Sequence, residues 1–378
     1  MRIGISCYST FGGSGVVATE VGKALAARGH EVHLLSPSLP PRLTGFESRV
    51  TFHEVTASPY PLFEAAPFSI ALASKMADVA EHHGLEVMHA HYAIPHASAA
   101  LLARLALEGR MKVVTTLHGT DITVVGSDPS YLSMVKLAIR ESDAVTAVSR
   151  YLKEETIRTF GLGEHIHVIP NFVEPPDPAT PDCRAWLCAD REVVLTHISN
   201  FRPVKRVLDV MKVFERVRQR IPAKLVMVGD GPDRNEAEAY AREHGFEADV
   251  RFTGKQLDIG AVLACSDLFL LPSATESFGL AALEAMAYGV PVIASNLGGI
   301  PEVIRQGVDG YLEALGDVDA MAARALELLT DPTKRKAFGA SAKERALTTF
   351  AEGPIVDMYE GLYEKVLGRE RKTVDLGA

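Results

Sequence analysis

Glu276-Ser-Phe-Gly-Leu-Ala-Ala-Leu-Glu284-Ala-Met-Ala-Tyr-Gly-Val-Pro-Val-Ile-Ala294 reads as a loop, a helix starting near Gly279, a stop at Gly289 and a buried strand. A helix N-terminus offers unpaired backbone N–H groups and the positive end of the macrodipole, so it can hold a phosphate. One carboxylate, Glu276, precedes that anion site and another, Glu284, lies inside the helix. Carboxylates do not suit a phosphate, but they accept paired hydrogen bonds from vicinal diols such as those of ribose or a hexose. The combination describes a nucleotide-sugar site. The same pattern also suits an ordinary amphipathic α/β helix with solvated glutamates, and the segment alone leaves both readings open.

Outward from this segment, strands alternate with helices. Strand-like runs are 2–8, 31–36, 50–55, 87–91, 112–117 and 144–148, with helical patterns at 16–27, 70–82, 98–107, 132–141 and 152–159. Apolar strands separated by amphipathic helices predict a parallel sheet covered on both faces. Asn171-Phe-Val-Glu-Pro-Pro-Asp-Pro-Ala-Thr-Pro181 interrupts the alternation, because its prolines forbid a regular element and mark a linker. The pattern then restarts with strands at 193–198, 224–228, 250–253, 268–271 and 290–294, and helices near 207–218, 235–243, 259–265 and 279–288. Two doubly wound α/β domains in series follow, with a final amphipathic helix at 355–367.

Length and composition agree. A chain of 378 residues exceeds what one core usually serves. Hydrophobic content of 47% with 23% charged residues fits a globular enzyme rather than a disordered chain. A formal net charge of −9 argues against nucleic-acid or anionic-membrane partners, so an anionic ligand must be met by local cations. Cys7, Cys183, Cys188 and Cys265 show no zinc-ligand pattern, and a reduced, cytoplasmic setting is expected. Met1-Arg-Ile-Gly-Ile5 opens directly on a strand without a signal-peptide pattern. No apolar run approaches the roughly 18 residues needed to span a bilayer.

Ligands of open α/β sheets sit beyond the carboxyl ends of the strands, and several polar clusters fall there. Phe11-Gly-Gly-Ser-Gly15 lets backbone N–H groups approach an anion, although it also suits a plain tight turn. It is not a GxGxxG fingerprint, and the next strand lacks the acidic residue that a dinucleotide ribose requires. Leu117-His-Gly-Thr-Asp121 and His89-Ala-His-Tyr92 end two strands. Alternation places His89 and His91 on one face, where a metal pair is conceivable but has no third ligand at fitting spacing. In Ser199-Asn-Phe-Arg-Pro-Val-Lys-Arg206, the cations Arg202, Lys205 and Arg206 suit a diphosphate, or a solvated basic turn. Val228-Gly-Asp-Gly-Pro232 is a further glycine turn. Asp317-Val-Asp319 has the D-x-D spacing of a metal–diphosphate site but stands where a helix N-cap is expected.

Gly12-Gly-Ser-Gly15, His118-Gly119, Gly229-Asp-Gly-Pro232, the Glu276/Glu284 pair and Gly298-Gly-Ile-Pro-Glu302 together make the chain resemble, over its whole length, the family 4 retaining glycosyltransferases of the GT-B fold. The segments 7–8, 12–20, 89–96, 115–123, 171–172 and 199–206 are similar to members that pass GlcNAc from UDP-GlcNAc to the hydroxyl of L-malate. Those members form an α-linked product on the route to the thiol bacillithiol. The resemblance implies two Rossmann-like domains facing a central cleft. Residues 1–170 would bind the acceptor, with helix 354–368 packing back on them, and residues 171–353 would bind the nucleotide sugar.

The resemblance also implies residue roles. Glu284 would hold the ribose hydroxyls, while Glu276 and the backbone of Ser277, Phe278, Gly279 and Leu280 would hold sugar and phosphates. Lys255 and Gln256 would lie near uracil, and Gly15 and Gly231 would border the donor. Lys205 would neutralise the diphosphate and His118 would contact the transferred sugar. The family often carries Arg where this chain has Asn200, so Arg202 or Arg206 would supply that cation. No metal or other cofactor is required in such a scheme. Malate brings two carboxylates and needs donors, for which Ser14, Tyr92, Thr116, Arg150 and Asn171 are candidates; Arg150 equally suits a solvated helix position. The alternatives are a related transferase with another acceptor, a UDP-GlcNAc epimerase of the same fold, or a nucleotide-sensing module without turnover. Nucleic-acid and integral-membrane partners are not expected, and a homo-oligomer is left open.

Overall fold

The computed structural model describes residues 1–9, 13–59, 64–123, 125–126, 128–162, 165–181, 184 and 192–369. The chain forms two compact units, Met1–Asn171 with Glu352–Ala378, and Phe172–Ala351.

The first unit is built on strands β1 (Arg2–Ser6), β2 (Glu31–Ser36), β3 (Val50–Glu54), β4 (Val87–His91), β5 (Lys112–Leu117), β6 (Ala144–Ala147) and β7 (Ile166–Val168). They pair in parallel in the order β3-β2-β1-β4-β5-β6-β7. Helices α1 (Gly13–Ala27), α2 (Phe68–His83), α3 (Ser98–Ala106), α4 (Pro129–Glu141) and α5 (Arg150–Phe160) connect them. Every residue of β4 is buried. That is why its Val-Met-His-Ala-His sequence does not alternate in polarity: a parallel strand covered on both faces has no solvent side.

The second unit repeats the design with β8 (Val193–Ile198), β9 (Ala223–Val228), β10 (Val250–Gly254), β11 (Leu268–Leu271), β12 (Val292–Ser295) and β13 (Gly310–Glu313). Their order is β10-β9-β8-β11-β12-β13, again parallel throughout. Its helices are α6 (Val207–Arg218), α7 (Arg234–Glu243), α8 (Gly260–Ala264), α9 (Leu280–Ala287), α10 (Val318–Thr330) and α11 (Pro332–Thr349). Strand β12 starts two residues later than its apolar run, since Pro291 has no N–H to give the ladder.

The last helix, α12 (Glu352–Val366), belongs to the first unit. Its buried residues Ile355, Val356, Tyr359, Leu362 and Tyr363 fall at i, i+1, i+4, i+7 and i+8, one apolar stripe. At the rim, Arg28 Nη1 donates to Asp357 at 2.6 Å and to Glu360 at 2.7 Å, and His30 Nε2 lies 2.7 Å from Glu360. Those three bonds fix α12 beside the end of α1.

In both sheets the strand order reverses once, between β1 and β4 and between β8 and β11. A doubly wound sheet opens a crevice at such a switch point, beyond the carboxyl ends of the two strands. The basic turn 199–206 and the Glu276 loop follow β8 and β11, and the His89–Tyr92 motif ends β4.

Four cysteines were expected to be reduced. Cys7 is a free buried thiol, whereas Cys265 is disulfide-bonded, which runs against that expectation. Cys183 and Cys188 lie outside the described residues. Among the described residues no helix is long and apolar enough to cross a membrane.

Candidate active site

In the second unit, the loop after β11 carries Ser273 and Glu276 and ends at Gly279, whose φ of +95° lets it cap α9. Any side chain would be strained there. The loop after β8 makes a single turn at Pro203–Lys205, closed by Arg206 in the left-handed region. The two loops are tied by Ala274 N–H donating to Val204 O at 2.7 Å. Across that tie Lys205 Nζ donates to Glu276 Oε1 at 2.5 Å, and Ser273 Oγ donates to the same oxygen at 2.9 Å. The Lys205 and Glu276 side chains keep 20% and 13% exposure, so ligand oxygens can reach both.

Glycines bring the remaining segments in. A Cβ on Gly298 would meet Glu276 O at 2.2 Å and one on Gly299 would meet Ser277 O at 2.2 Å. Gly299 N–H also donates to Glu276 O at 2.9 Å. On the other flank, a Cβ on Gly229 would lie 1.8 Å from Ser199 O and one on Gly231 2.1 Å from Asn200 O. Only glycine permits such close backbone approach. The basic turn, the Gly229–Pro232 turn, the Glu276–Gly279 loop and the Gly298-Gly299 turn are therefore one continuous surface at the switch point.

Several expected donor residues need correction or refinement. Arg206 donates to Asp209 at 2.5 Å, inside its own helix start, so its charge is already committed. Arg202 is exposed. The Phe278 ring is buried and packs edge-on against Phe350 at 5.6 Å, leaving only its main chain for a ligand. Gln256 turns its amide back onto Thr253 O at 2.8 Å, and Lys255 precedes it just past β10. Glu284 lies half-buried in α9, with Leu280 at the first helical position. Asp317 caps α10 by accepting from Ala320 N–H at 2.9 Å, and Asp319 pairs with Arg216 at 2.5 Å. The D-x-D spacing here is a helix start.

In the first unit, a buried carboxyl organises the switch point. Asp121 accepts from Ala93 N–H at 3.0 Å, Gly119 N–H at 2.9 Å and His118 N–H at 3.2 Å. It thereby clamps the loop after β4 to the loop after β5. Burial raises its pKa to about 6 against those bonds, which pull it down. His118 Nε2 lies 2.8 Å from His91 Nδ1, and burial pushes both imidazoles down, His118 to about 3. They are neutral at physiological pH. Tyr92 holds a φ of +89°, unusual for a side-chain-bearing residue. Its ring lies 5.7 Å from Tyr8 and 5.3 Å from His118.

His96 was not singled out in the sequence, yet it joins this cluster. Its Nδ1 meets Ser6 Oγ at 2.7 Å, and Tyr8 packs edge-on against its ring at 4.6 Å. The Nε2 atoms of His91 and His96 and the Oδ1 of Asn171 are buried without partners among the described residues. Unpaired buried polar atoms at strand ends are ready to meet ligand atoms. The available signal for His96 was that it closes the segment 89–96, one of those that carry the family resemblance.

Thr116 does not belong to the acceptor surface. It is fully buried, and its hydroxyl bonds His89 Nε2 and Thr146 Oγ1, each at 2.6 Å. The cause is that β5, central in a parallel sheet, has no exposed face. His89 is likewise spent, since its Nδ1 meets the Tyr363 hydroxyl at 2.7 Å. With both ring nitrogens used, His89 cannot form the metal pair with His91 that alternation had left open. Ser14 and Gly15 lie buried in the first turn of α1, while Gly12 is outside the described residues. Arg150 is exposed at the start of α5, whose N-cap Ser149 accepts from Leu152 N–H at 3.0 Å.

Comparison with known proteins places this geometry. Residues 11–176 match the Glycosyltransferase Family 4 model, and residues 184–345 match the model for glycosyl transferases group 1. N-acetyl-alpha-D-glucosaminyl L-malate synthase of Bacillus anthracis is 45% identical over 371 residues, covering 97% of both chains. The chain belongs to glycosyltransferase family 4. A GDP-mannose-dependent phosphatidylinositol monomannoside mannosyltransferase of Mycolicibacterium smegmatis is 31% identical and covers 73% of this chain and 75% of its own. Among solved structures, HepE of Anabaena with UDP and glucose superposes with a TM-score of 0.80 at 22% identity, covering 97% of this chain and 100% of that one. Sucrose-phosphate synthase of Thermosynechococcus elongatus gives 0.79 at 21% identity, covering 97% and 99%. The family 4 fold is thus GT-B, two Rossmann-like parallel-sheet units.

Proposed function

We propose that this family 4 transferase moves N-acetylglucosamine from UDP-GlcNAc to the hydroxyl of L-malate, giving the α-linked product and UDP. The observation that carries the reading is the 45% identity, over 97% of both chains, to an enzyme named for that product. The organisation of the two switch points supports it. In the second unit, a cation, a carboxylate and a helix N-terminus stand together at Lys205, Glu276 and Gly279. A nucleotide sugar presents the matching groups: a diphosphate for the cation and amides, and hydroxyls for the carboxylate.

In this reading the second unit holds the donor. Lys205 and Arg202 meet the diphosphate, the amides from Ser277 to Leu280 add donors, and Glu276 and Glu284 accept from sugar and ribose hydroxyls. Ligand binding exchanges the Lys205–Glu276 bond for one phosphate contact and one sugar contact, so neither charge is left alone. The first unit supplies the acceptor surface, with Ser14, Tyr92, Arg150 and Asn171 as contacts and His118 toward the transferred sugar. The bond from the anomeric carbon to the phosphate oxygen breaks as the malate oxygen attacks the same face. The malate proton passes to the departing phosphate, which leaves as UDP. Developing negative charge falls on the oxygen nearest Lys205 and α9, so no metal is needed for that step.

The test is UDP release from UDP-GlcNAc by the purified chain. Fast release with L-malate, slow release with D-malate or no acceptor, and full activity in EDTA are expected. Equal release without acceptor would remove the malate assignment. Loss of activity in EDTA would remove the metal-free mechanism.

A further inference from the structure

Away from both switch points, the edge of the first sheet carries a group of histidines that glycosyl transfer does not use. Strand β2 reads Glu31-Val-His33, and β3 reads Val50-Thr-Phe-His53. The parallel register aligns His33 with Thr51 and Leu35 with His53, so His33 and His53 stand diagonally on one face. Helix α2 ends at His83, just before Gly84 turns the chain in the left-handed conformation. One ring nitrogen from each of His33, His53 and His83 lies within 4.8 Å of the other two. His33 Nδ1 and His53 Nε2 are 2.9 Å apart, and the rings of His33 and His83 are centred 4.3 Å apart.

We propose that His33, His53 and His83 form a binding site for one divalent transition-metal ion of the zinc class, clasping β2 and β3 to the end of α2. Three imidazoles with one position left for water is a donor set that zinc and its neighbours accept. Tetrahedral bonds of about 2.0–2.1 Å separate ligand nitrogens by about 3.4 Å. The His33–His53 pair at 2.9 Å opens by about half an ångström to reach this spacing, and no pair need close by more than about 1.4 Å, within reach of side-chain rotation.

Three further features fit a cation. His33 Nε2 lies 3.3 Å from Glu31 Oε1, the carboxylate–histidine arrangement that fixes a ligating tautomer and leaves Nδ1 with its lone pair toward the centre. The C-terminal end of the 16-residue α2 contributes the negative pole of its dipole beside His83. His33 is buried and His53 and His83 are partly buried, so the three imidazoles meet at the sheet edge rather than in bulk solvent. Lys75 is the cation felt by His53 and opposes the ion, while Glu31 offsets it.

The test uses the untagged full chain, stripped with chelator and desalted, then titrated with Co²⁺ and, in competition with a chromogenic chelator, with Zn²⁺. One Zn²⁺ per chain and the visible absorption of four-coordinate Co²⁺ are expected. His53→Ala and His83→Ala should each weaken Zn²⁺ binding by more than about tenfold, and Glu31→Gln by about tenfold. His82→Ala should leave it unchanged. Both His53 and His83 are partly exposed, so the metal-free variants should melt near the parent chain. If either does not, His53→Gln with His83→Gln replaces it. Absence of stoichiometric binding, or binding that survives loss of both histidines, overturns the proposal. Neither outcome bears on the transferase reaction, since none of these residues belongs to its machinery.

Discussion

Replacing Lys205 by Ala removes the cation that faces Glu276 and leaves that carboxylate with Ser273 alone. The pair is partly exposed, so its loss should cost folding no more than about 1 kcal/mol. The effect on catalysis is larger. Suppose about half a unit of charge develops on a leaving oxygen about 3 Å from Nζ, in a surface site with an effective dielectric near 20. Coulomb's law then gives about 2.8 kcal/mol, or about a hundredfold in kcat. Removing one donor from an oxyanion site typically costs about as much. The charge already present on the bound diphosphate loses its partner too, so KM for UDP-GlcNAc should also rise, whereas KM for L-malate should not. Steady-state UDP release at saturating substrates measures these constants, with urea denaturation as the folding control. A kcat within about threefold of the parent, with the fold intact, would refute the assignment of Lys205 to the leaving group.

Other expectations follow from the same geometry. Gly298→Ala places a methyl 2.2 Å from Glu276 O at a φ of +62°; a loss of about 3 kcal/mol in urea denaturation and at least about tenfold in kcat/KM is expected. Thr116→Val strands His89 and Thr146, so stability should fall by about 1–3 kcal/mol while KM for malate stays within about twofold. In acid, His89, His91, His96, His118 and His197 are held by burial below their unfolded pKa, so their contribution is complete above about pH 6.5 and lost as pH falls. Asp121, raised to about 6, acts oppositely and releases a proton on unfolding near pH 5. Unfolding near pH 5 therefore takes up several protons net, and stability should fall by several kcal/mol per pH unit; denaturation at pH 5 and 5.5 with a change near zero would contradict the burial of these rings.

Strand positions in both sheets were legible because parallel strands buried on two faces are nearly continuous apolar runs. Two strands escaped for identifiable reasons. Ile166–Val168 is too short to show a period. Gly310 opens β13 with the residue that usually signals a turn, but a Cβ there would lie 2.1 Å from Val292 O. Close backbone approach, not chain reversal, requires that glycine. At the candidate site, Lys205 and Glu276 could be named from their motifs because each chemistry is local. Their mutual bond could not, since it spans a separation of 71 residues. Thr116 failed for the opposite reason: a strand-end hydroxyl looks available in sequence, and only the neighbouring strand shows that His89 and Thr146 consume it.

The two units reach their switch points with different electrostatics, and the difference fits the proposed division of substrates. The second unit holds a compact ion pair that a charged, hydroxyl-rich donor can divide. The first unit holds neutral histidines and a constrained loop: Tyr92 at positive φ, Asp121 accepting three backbone N–H bonds, and unpaired buried atoms on His91, His96 and Asn171. Each unpaired atom costs about 1–3 kcal/mol in the empty protein. A ligand that supplies the missing partners recovers such costs on binding. The groups are also fixed in advance, because three backbone N–H bonds to Asp121 hold both loops. Groups held in this way need not reorganise when a ligand arrives, which is the condition for preorganised electrostatic stabilisation.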